Sequence, residues 1–437
     1  MAQHSSIGIN SDQISLISSP KAFAQSILSA IRGATKRIYI TALYIQDDEA
    51  GREILHALCQ AKQANPALDI NVFVDYRRAQ RGLIGEKEQL GNRALYLNLS
   101  EEYAETINIY GVALKSKEFL GVLHLKGMVF DDNVLYSGAS LNNVYLHHDD
   151  KYRLDRYYDI HSPALANSFV KFLDEYLIEP GRCPLLNRGD LPNIQRQKQL
   201  TTQLRNQLKK VSYICDESSS GDISIQPLLG FGRRKNLLNK SIRQVVRNAE
   251  KELLIFTPYF NFPKVLSRDV VRALKKGVKV DIVVGDKTAN DFYESDQSKF
   301  SFINIVPYIY ESLLHRFIKK QQKFIDSGLL NIHLWKHGNN SYHLKGVIAD
   351  NRCHMLTGSN LNPRAWNLDI ENGLLIDDPK KSLLPLLEQE KSIIFAHTKR
   401  IKSANCIEQP NQYPEKPKKL MKRLKVSSID KILQRFL

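Results

Sequence analysis

Residues 124–131 read His-Leu-Lys-Gly-Met-Val-Phe-Asp, and residues 343–350 read His-Leu-Lys-Gly-Val-Ile-Ala-Asp. The offset, 343 − 124 = 219, is half of the 437-residue chain. Each copy runs into a turn of small residues. The first is Gly138-Ala139-Ser140-Leu141-Asn142 and the second is Gly358-Ser359-Asn360-Leu361-Asn362. Self-similarity at a fixed spacing marks a repeated structural unit, and here the unit is half the chain.

The likeness extends upstream. AFAQSILSAIRGATK, within residues 22–45, has apolar residues at helical spacing, and RIYITALYI follows as a strand. Within 237–260, LLNKSIRQVVRNAEK and ELLIFTPYF repeat that order. Second helices are predicted at 51–64 and 265–276, followed by the apolar strands DINVFVD at 69–75 and VKVDIVV at 278–284. Helices alternating with short β-branched strands predict an α/β fold. The expected architecture is two tandem α/β sandwich domains related by a pseudo-two-fold axis and packed face to face. The expected bounds are 1–180 for the first domain, 181–222 for a basic linker, 223–405 for the second domain and 406–437 for a basic amphipathic tail.

A hydrophobic fraction of 43% is enough to build such cores without disulfides or metals. The five cysteines are scattered and none forms a C-x-x-C pair, so neither a zinc site nor a disulfide framework is expected. Lys and Arg exceed Asp and Glu by 62 to 46, giving +16. Such an excess attracts phosphate-rich partners, among them anionic lipid, nucleotides and nucleic acid, and it suits ribosome association as well. The N-terminal stretch has no apolar signal-peptide region, and no run of about 18 apolar residues occurs. The expected location is the cytoplasm, with peripheral attachment to the inner face of the cell membrane if the substrate is a lipid.

The repeated motif carries chemistry. Read as part of one strand, GVLHLKGMVF puts His124 and Lys126 on a common face, and His343 and Lys345 likewise. An imidazole and an ammonium aimed into one space suit a phosphate: the lysine neutralises an oxygen while the imidazole faces phosphorus. Two copies from a duplicated fold predict one site holding both pairs. One histidine would attack phosphorus, and the other would serve as acid and then base. The two lysines supply the positive charge that a divalent metal often gives, so neither metal nor cofactor is expected. Asp131 lies seven residues beyond His124, roughly 23 Å along an extended strand. It and Asp350 are expected to serve a turn or an ion pair rather than to orient the imidazoles. Glu371 in the second half and Asp155 in the first are the carboxylates expected to fix the imidazole tautomers. Tyr259, Phe260 and Phe262 read as core or strand-end packing.

These residues are similar to the signature of the phospholipase D superfamily, His-x-Lys-x4-Asp followed by a Gly-Ser-x-Asn turn, and the match spans both halves. The segments HLKGMVFDDNVLYSGASLNNVYLHH and HLKGVIADNRCHMLTGSNLNPRAWNLDIENGL resemble the bacterial CDP-diacylglycerol–serine O-phosphatidyltransferases of that superfamily. The resemblance implies a nucleophile and an acid/base at His124 and His343, and phosphate binding by Lys126 and Lys345. It counts Asp131 and Asp350 as motif residues. The turn residues Ser140, Asn142, Ser359, Asn360 and Asn362 become substrate-binding candidates. Counted from the motif aspartate, Asn360 falls on the signature asparagine while Leu141 falls there in the first half, so Ser140 or Asn142 must serve instead. The implied substrates are CDP-diacylglycerol and L-serine, met at an anionic membrane surface, with CMP released. From the residues alone the reading stops at phosphodiester exchange. A cardiolipin synthase or phospholipase, a nuclease and a basic nucleic-acid-binding protein of the same fold remain open.

Overall fold

The computed structural model describes residues 6–81, 91–115, 120–215, 219–427, 433–435 and 437. Two mixed sheets organise it. The first runs Ile14–Leu16, Tyr157–His161, Asn133–Ser137, Met128–Phe130, Arg37–Thr41, Asp69–Asp75, Asn108–Val112. The path of the second begins with Ile7–Ile9 and Ile223–Phe231. It continues through Ile370–Asp377, Cys353–Thr357, Gly346–Ala349, Glu252–Thr257, Lys279–Gly285, Leu330–Trp335 and Thr398–Ile401. Six strands match in order and direction between the sheets: three antiparallel pairings, then two parallel ones. The duplication in the sequence is thus a duplication of topology.

Local chemistry fixes the elements. Helix Pro20–Gly33 starts at Ser19, whose side chain accepts the Ala22 N–H, with Pro20 in the first turn where no amide partner is needed. Phe23, Ile27 and Ile31 lie on its buried stripe, spaced by four. Asp48 caps helix Glu49–Ala64 in the same way. These helices cover the outer face of the first sheet, and helices Leu237–Asn248, Lys264–Lys275 and Val306–Asp326 cover the second.

A third core joins the halves. Tyr39, Phe73, Val129, Tyr136 and Tyr158 of the first half share one cluster with Ile225, Leu229, Leu356, Ile370 and Leu374 of the second. Helix Ile194–Leu208, expected as a polar linker, buries Leu200, Leu204 and Leu208, and Tyr213 beyond it packs on Phe169 and Phe172.

The motif strand is not continuous. Leu123–His124 and Met128–Phe130 are separate strands, broken at Gly127 with φ of 113°, and Ser341–Tyr342 is separated from Gly346–Ala349 at Gly346 with φ of 145°. Only glycine enters that region of φ readily. The break lets the chain change partners. Leu123–His124 pairs in parallel with Ile370 and Glu371 of the second sheet, whereas Met128–Phe130 stays in the first. Ser341–Tyr342 likewise pairs with Arg153–Leu154.

The tail forms helix Glu415–Val426. Its apolar residues Met421 and Leu424 are buried against Ile305, Tyr308 and Tyr413, so the apolar stripe faces protein rather than solvent. Lys416, Lys418, Lys419, Lys422, Arg423 and Lys425 are exposed. The stretch 428–432 and Phe436, which include several of the tail's apolar positions, lie outside the described residues.

Candidate active site

His124, Lys126, His343 and Lys345 are all buried and meet between the sheets, close enough that Lys345 depresses the protonation of both His124 and Lys126. The carboxylates exchange halves. His124 Nδ1 lies 2.8 Å from Glu371 Oε2, and His343 Nδ1 lies 3.1 Å from Asp155 Oδ2. The expectation that each carboxylate orients the histidine of its own half is corrected. The cause is the strand exchange, since Glu371 pairs directly across from His124 and the His343 N–H donates to Leu154 O.

The lysines cross as well. Lys345 Nζ donates to Asp155 Oδ2 at 2.7 Å and to Gly138 O at 3.3 Å. Lys126 Nζ donates to Ala139 O at 3.1 Å, and its stem passes Gly358. A Cβ on Gly358 would stand 2.7 Å from Lys126 Cγ, and one on Gly138 would stand 2.6 Å from Lys345 Nζ. The glycines of the small-residue turns therefore leave room for the lysine stems.

Burial sets the protonation of the site's groups. It drives His124 well below its ordinary value, with the Lys126 and Lys345 charges adding to the effect. Burial and Lys345 take His343 down to about 4. Burial and the facing Lys345 take Lys126 down to about 7. Burial alone would raise Asp155, but the Lys345 ammonium and the His343 bond outweigh it and hold the carboxyl at about 2. Glu371 goes the other way: burial and then Asp369 push it well up, against the pull of Lys126 and Lys345. Among the described residues no group of three or more His, Cys, Asp or Glu is placed to hold a metal ion.

The remaining candidates divide. Asp131, at φ of 51°, accepts the backbone N–H groups of Thr35, Lys36 and Arg37, and Asp350, at φ of 57°, accepts those of Glu250, Lys251 and Glu252. Both aspartates fasten a strand entrance and touch neither imidazole. Asn142 and Asn362 cap short helices by accepting from Tyr145 N–H and Ala365 N–H, which places their oxygens on the backbone rather than on a substrate. The hairpin after Asp350 is one residue longer than that after Asp131, since Phe130 pairs with Asn133 while Ala349 pairs with Cys353. Counted along the strands, Ser140 therefore matches Asn360, which corrects the count from the aspartate. Among the described residues Ser359 Oγ, Asn360 Oδ1 and Glu371 Oε1 are buried without a hydrogen-bond partner, as expected of a site built for a polar ligand.

A family model described as "Cardiolipin synthase, PLD-like domain" matches residues 27–148 and 242–390. CDP-diacylglycerol–serine O-phosphatidyltransferase of Haemophilus influenzae is 43% identical, covering 99% of this chain and 96% of that one. Its counterpart in Escherichia coli is 40% identical over 100% and 97%. The crystal structure of phosphatidylserine synthase from Haemophilus influenzae superposes with a TM-score of 0.93 at 42% identity, covering 99% of this chain and 97% of that chain. This chain belongs to the CDP-diacylglycerol–serine O-phosphatidyltransferase family of the phospholipase D superfamily. It is an enzyme of the phosphotransferase class.

Several residues of this phosphatidyltransferase site had escaped the sequence reading. Tyr145 hydroxyl lies 2.9 Å from His343 Nδ1. Tyr259 meets the His343 ring edge-on and stacks on Tyr310, so it lines the site, while Phe260 and Phe262 pack in the core. Asn372 donates to Lys126 O at 2.7 Å and accepts Lys126 N–H at 2.8 Å, holding the motif backbone across the halves. Asn372 follows Glu371 directly, and that adjacency was the available signal.

Proposed function

We propose that this chain transfers the phosphatidyl group of CDP-diacylglycerol to the hydroxyl of L-serine and releases CMP, through a phosphatidyl-histidine intermediate on His124. The observation that carries this reading is the convergence of two His–Lys pairs, each histidine bonded through Nδ1 to a carboxylate of the opposite half. Ionised Glu371 accepts the His124 Nδ1–H and leaves Nε2 free to attack; Lys126 and Lys345 favour that form, while burial opposes it. Nε2 bonds to phosphorus and the bond to the CMP oxygen breaks; the phosphate charge of the bound donor and ionised Asp155 favour the His343 imidazolium, which gives that oxygen a proton. In the second step the serine hydroxyl gives its proton to His343 and its oxygen bonds to phosphorus. The N–P bond then breaks and frees His124. Asp155, held ionised, supports the imidazolium that His343 becomes. Lys126 and Lys345 neutralise the phosphate oxygens throughout. The relatives' names supply the serine acceptor and the lipid donor.

Access to the lipid rests on the tail. No helix among the described residues is long and apolar enough to cross a membrane. Helix Glu415–Val426 packs its apolar stripe beside the turn Phe302–Ile305, and its lysines are exposed, as are Phe302 and Ile303 of that turn. Cations beside apolar side chains suit an anionic lipid surface. Both aspects are tested by CMP release from CDP-diacylglycerol in vesicles, with and without L-serine. Release that depends on serine and is faster on anionic than on neutral vesicles is expected. Equal release without serine would replace the transferase reading by a hydrolase, and equal rates on both vesicle types would remove the electrostatic docking.

A further inference from the structure

One flank of His343 carries a charge pattern that the phosphoryl chemistry leaves unused. Arg153 lies two residues before Asp155, and its guanidinium stands 4.4 Å over the ring of Tyr145, the tyrosine bonded to His343. Asp291, from the loop after strand Lys279–Gly285, forms an ion pair with Arg153 at 2.5 Å. Both side chains are largely buried and keep 15% and 19% of their surface open.

The pair retains spare capacity. A guanidinium has five N–H donors, and Arg153 Nε is buried without a hydrogen-bond partner among the described residues. A carboxylate accepts about four hydrogen bonds, so Asp291 can hold a cation beside Arg153. The His124 flank is built differently: there Arg364 bonds Asp369 at 3.2 Å. The residue two before Glu371 is Asp369, and the position equivalent to Tyr145, counted from the helix-capping asparagines Asn142 and Asn362, is Ala365.

We propose that Arg153 and Asp291 form the recognition site for the zwitterionic head of the acceptor. Arg153 takes the carboxylate through a fork of N–H donors, and Asp291 takes the ammonium. The hydroxyl between them is then directed at His343. This rests on the transferase reading above and deepens it. The placement fits the chemistry, because in an in-line exchange the acceptor enters where CMP departs, on the side of the acid/base. Opposite charges on ligand and site complete a four-charge cluster, and the fork of arginine matches a carboxylate in two bonds at once.

The test compares two reactions of the full-length enzyme. One is transfer to serine. The other is exchange of labelled CMP into CDP-diacylglycerol without serine, which needs no zwitterion. Asp291→Asn should raise the KM for serine on the order of 10²-fold, as truncating one partner of a buried charge pair does, while exchange falls by a much smaller factor. Acceptor analogues separate the two roles. Asp291→Asn should narrow the preference for serine over 3-hydroxypropionate, which lacks the ammonium. Arg153→Lys should narrow the preference over ethanolamine, which lacks the carboxylate. Unchanged serine KM and unchanged preferences would overturn the assignment. An equal fall in exchange and transfer would also overturn it, making the pair a structural tie or a contact to the nucleotide phosphates. Wild-type enzyme that releases no CMP in response to serine would instead defeat the transferase reading, a distinguishable result.

Discussion

The two half-sites share a motif but not an electrostatic setting. Around His343, Asp155 is bound by the Lys345 ammonium and stays ionised, and Tyr145 gives the imidazole a further polar neighbour. Around His124, Glu371 has no lysine bonded to it, because Lys126 donates to the Ala139 carbonyl instead. The residues that follow differ too. Asn372 clamps the Lys126 backbone, whereas Arg156 forms a two-point ion pair with Glu390, 2.7 Å at each contact, beneath the other half. Duplication supplied two matching sets of groups, and the neighbours hold one carboxylate as a fixed anion while burial and Asp369 push the other's pKa up. Equal motifs therefore need not do equal work, and the ionised partner marks the histidine suited to cycle a proton.

If that difference is functional, removing the carboxylates must give unequal losses. Asp155→Asn leaves Lys345 buried beside Lys126 without its counter-ion, and a buried charge stripped of its partner is costly. Its kcat should fall about 10³-fold or more. Glu371→Gln removes only an orienting partner, for which losses of about 10–100-fold are usual. Equal losses, measured by steady-state CMP release, would break the distinction.

A smaller effect concerns pH. With Lys126 brought down to about 7 in the free enzyme, raising the pH above that value strips its charge and weakens the hold on the lipid phosphates. The kcat/KM for CDP-diacylglycerol, which reports the free enzyme, should therefore fall about tenfold per pH unit above roughly 7. Lys126→Arg, always charged, should flatten that limb at whatever rate it retains. An unaltered alkaline limb in Lys126→Arg would assign the titration elsewhere.

Much of this was legible in the sequence because it is local or repeated. The helix from Pro20 and its counterpart from Leu237 follow from spacing, and the duplicated topology follows from HLKG recurring with its flanking elements. The exchange between halves was not legible. A strand pattern says which face His124 and Lys126 share but not which sheet the strand joins, and Glu371 is 247 residues from His124. The glycine ending each HLKG was a visible sign of the break, which a reading as one continuous strand passed over. Asn142 and Asn362 looked like ligands because their role as helix caps depends on the short helices that follow, although Pro363 after Asn362 is the usual cap sequence. Tyr145 reaches the site through tertiary packing alone, with no motif to announce it, and Asn372 had only its adjacency to Glu371 as a signal.

The division of labour between the histidines is tested most directly by trapping. The CMP phosphate is a good leaving group and needs little protonation, whereas the serine hydroxyl needs a base. His343→Ala given CDP-diacylglycerol should therefore still form the first bond and stall. Intact-mass and peptide analysis should then find a phosphatidyl group on the peptide containing His124, with none formed by His124→Ala. An adduct on His343 in the His124→Ala enzyme, or none on His124 when His343 is absent, would contradict the assignment of His124 as the nucleophile.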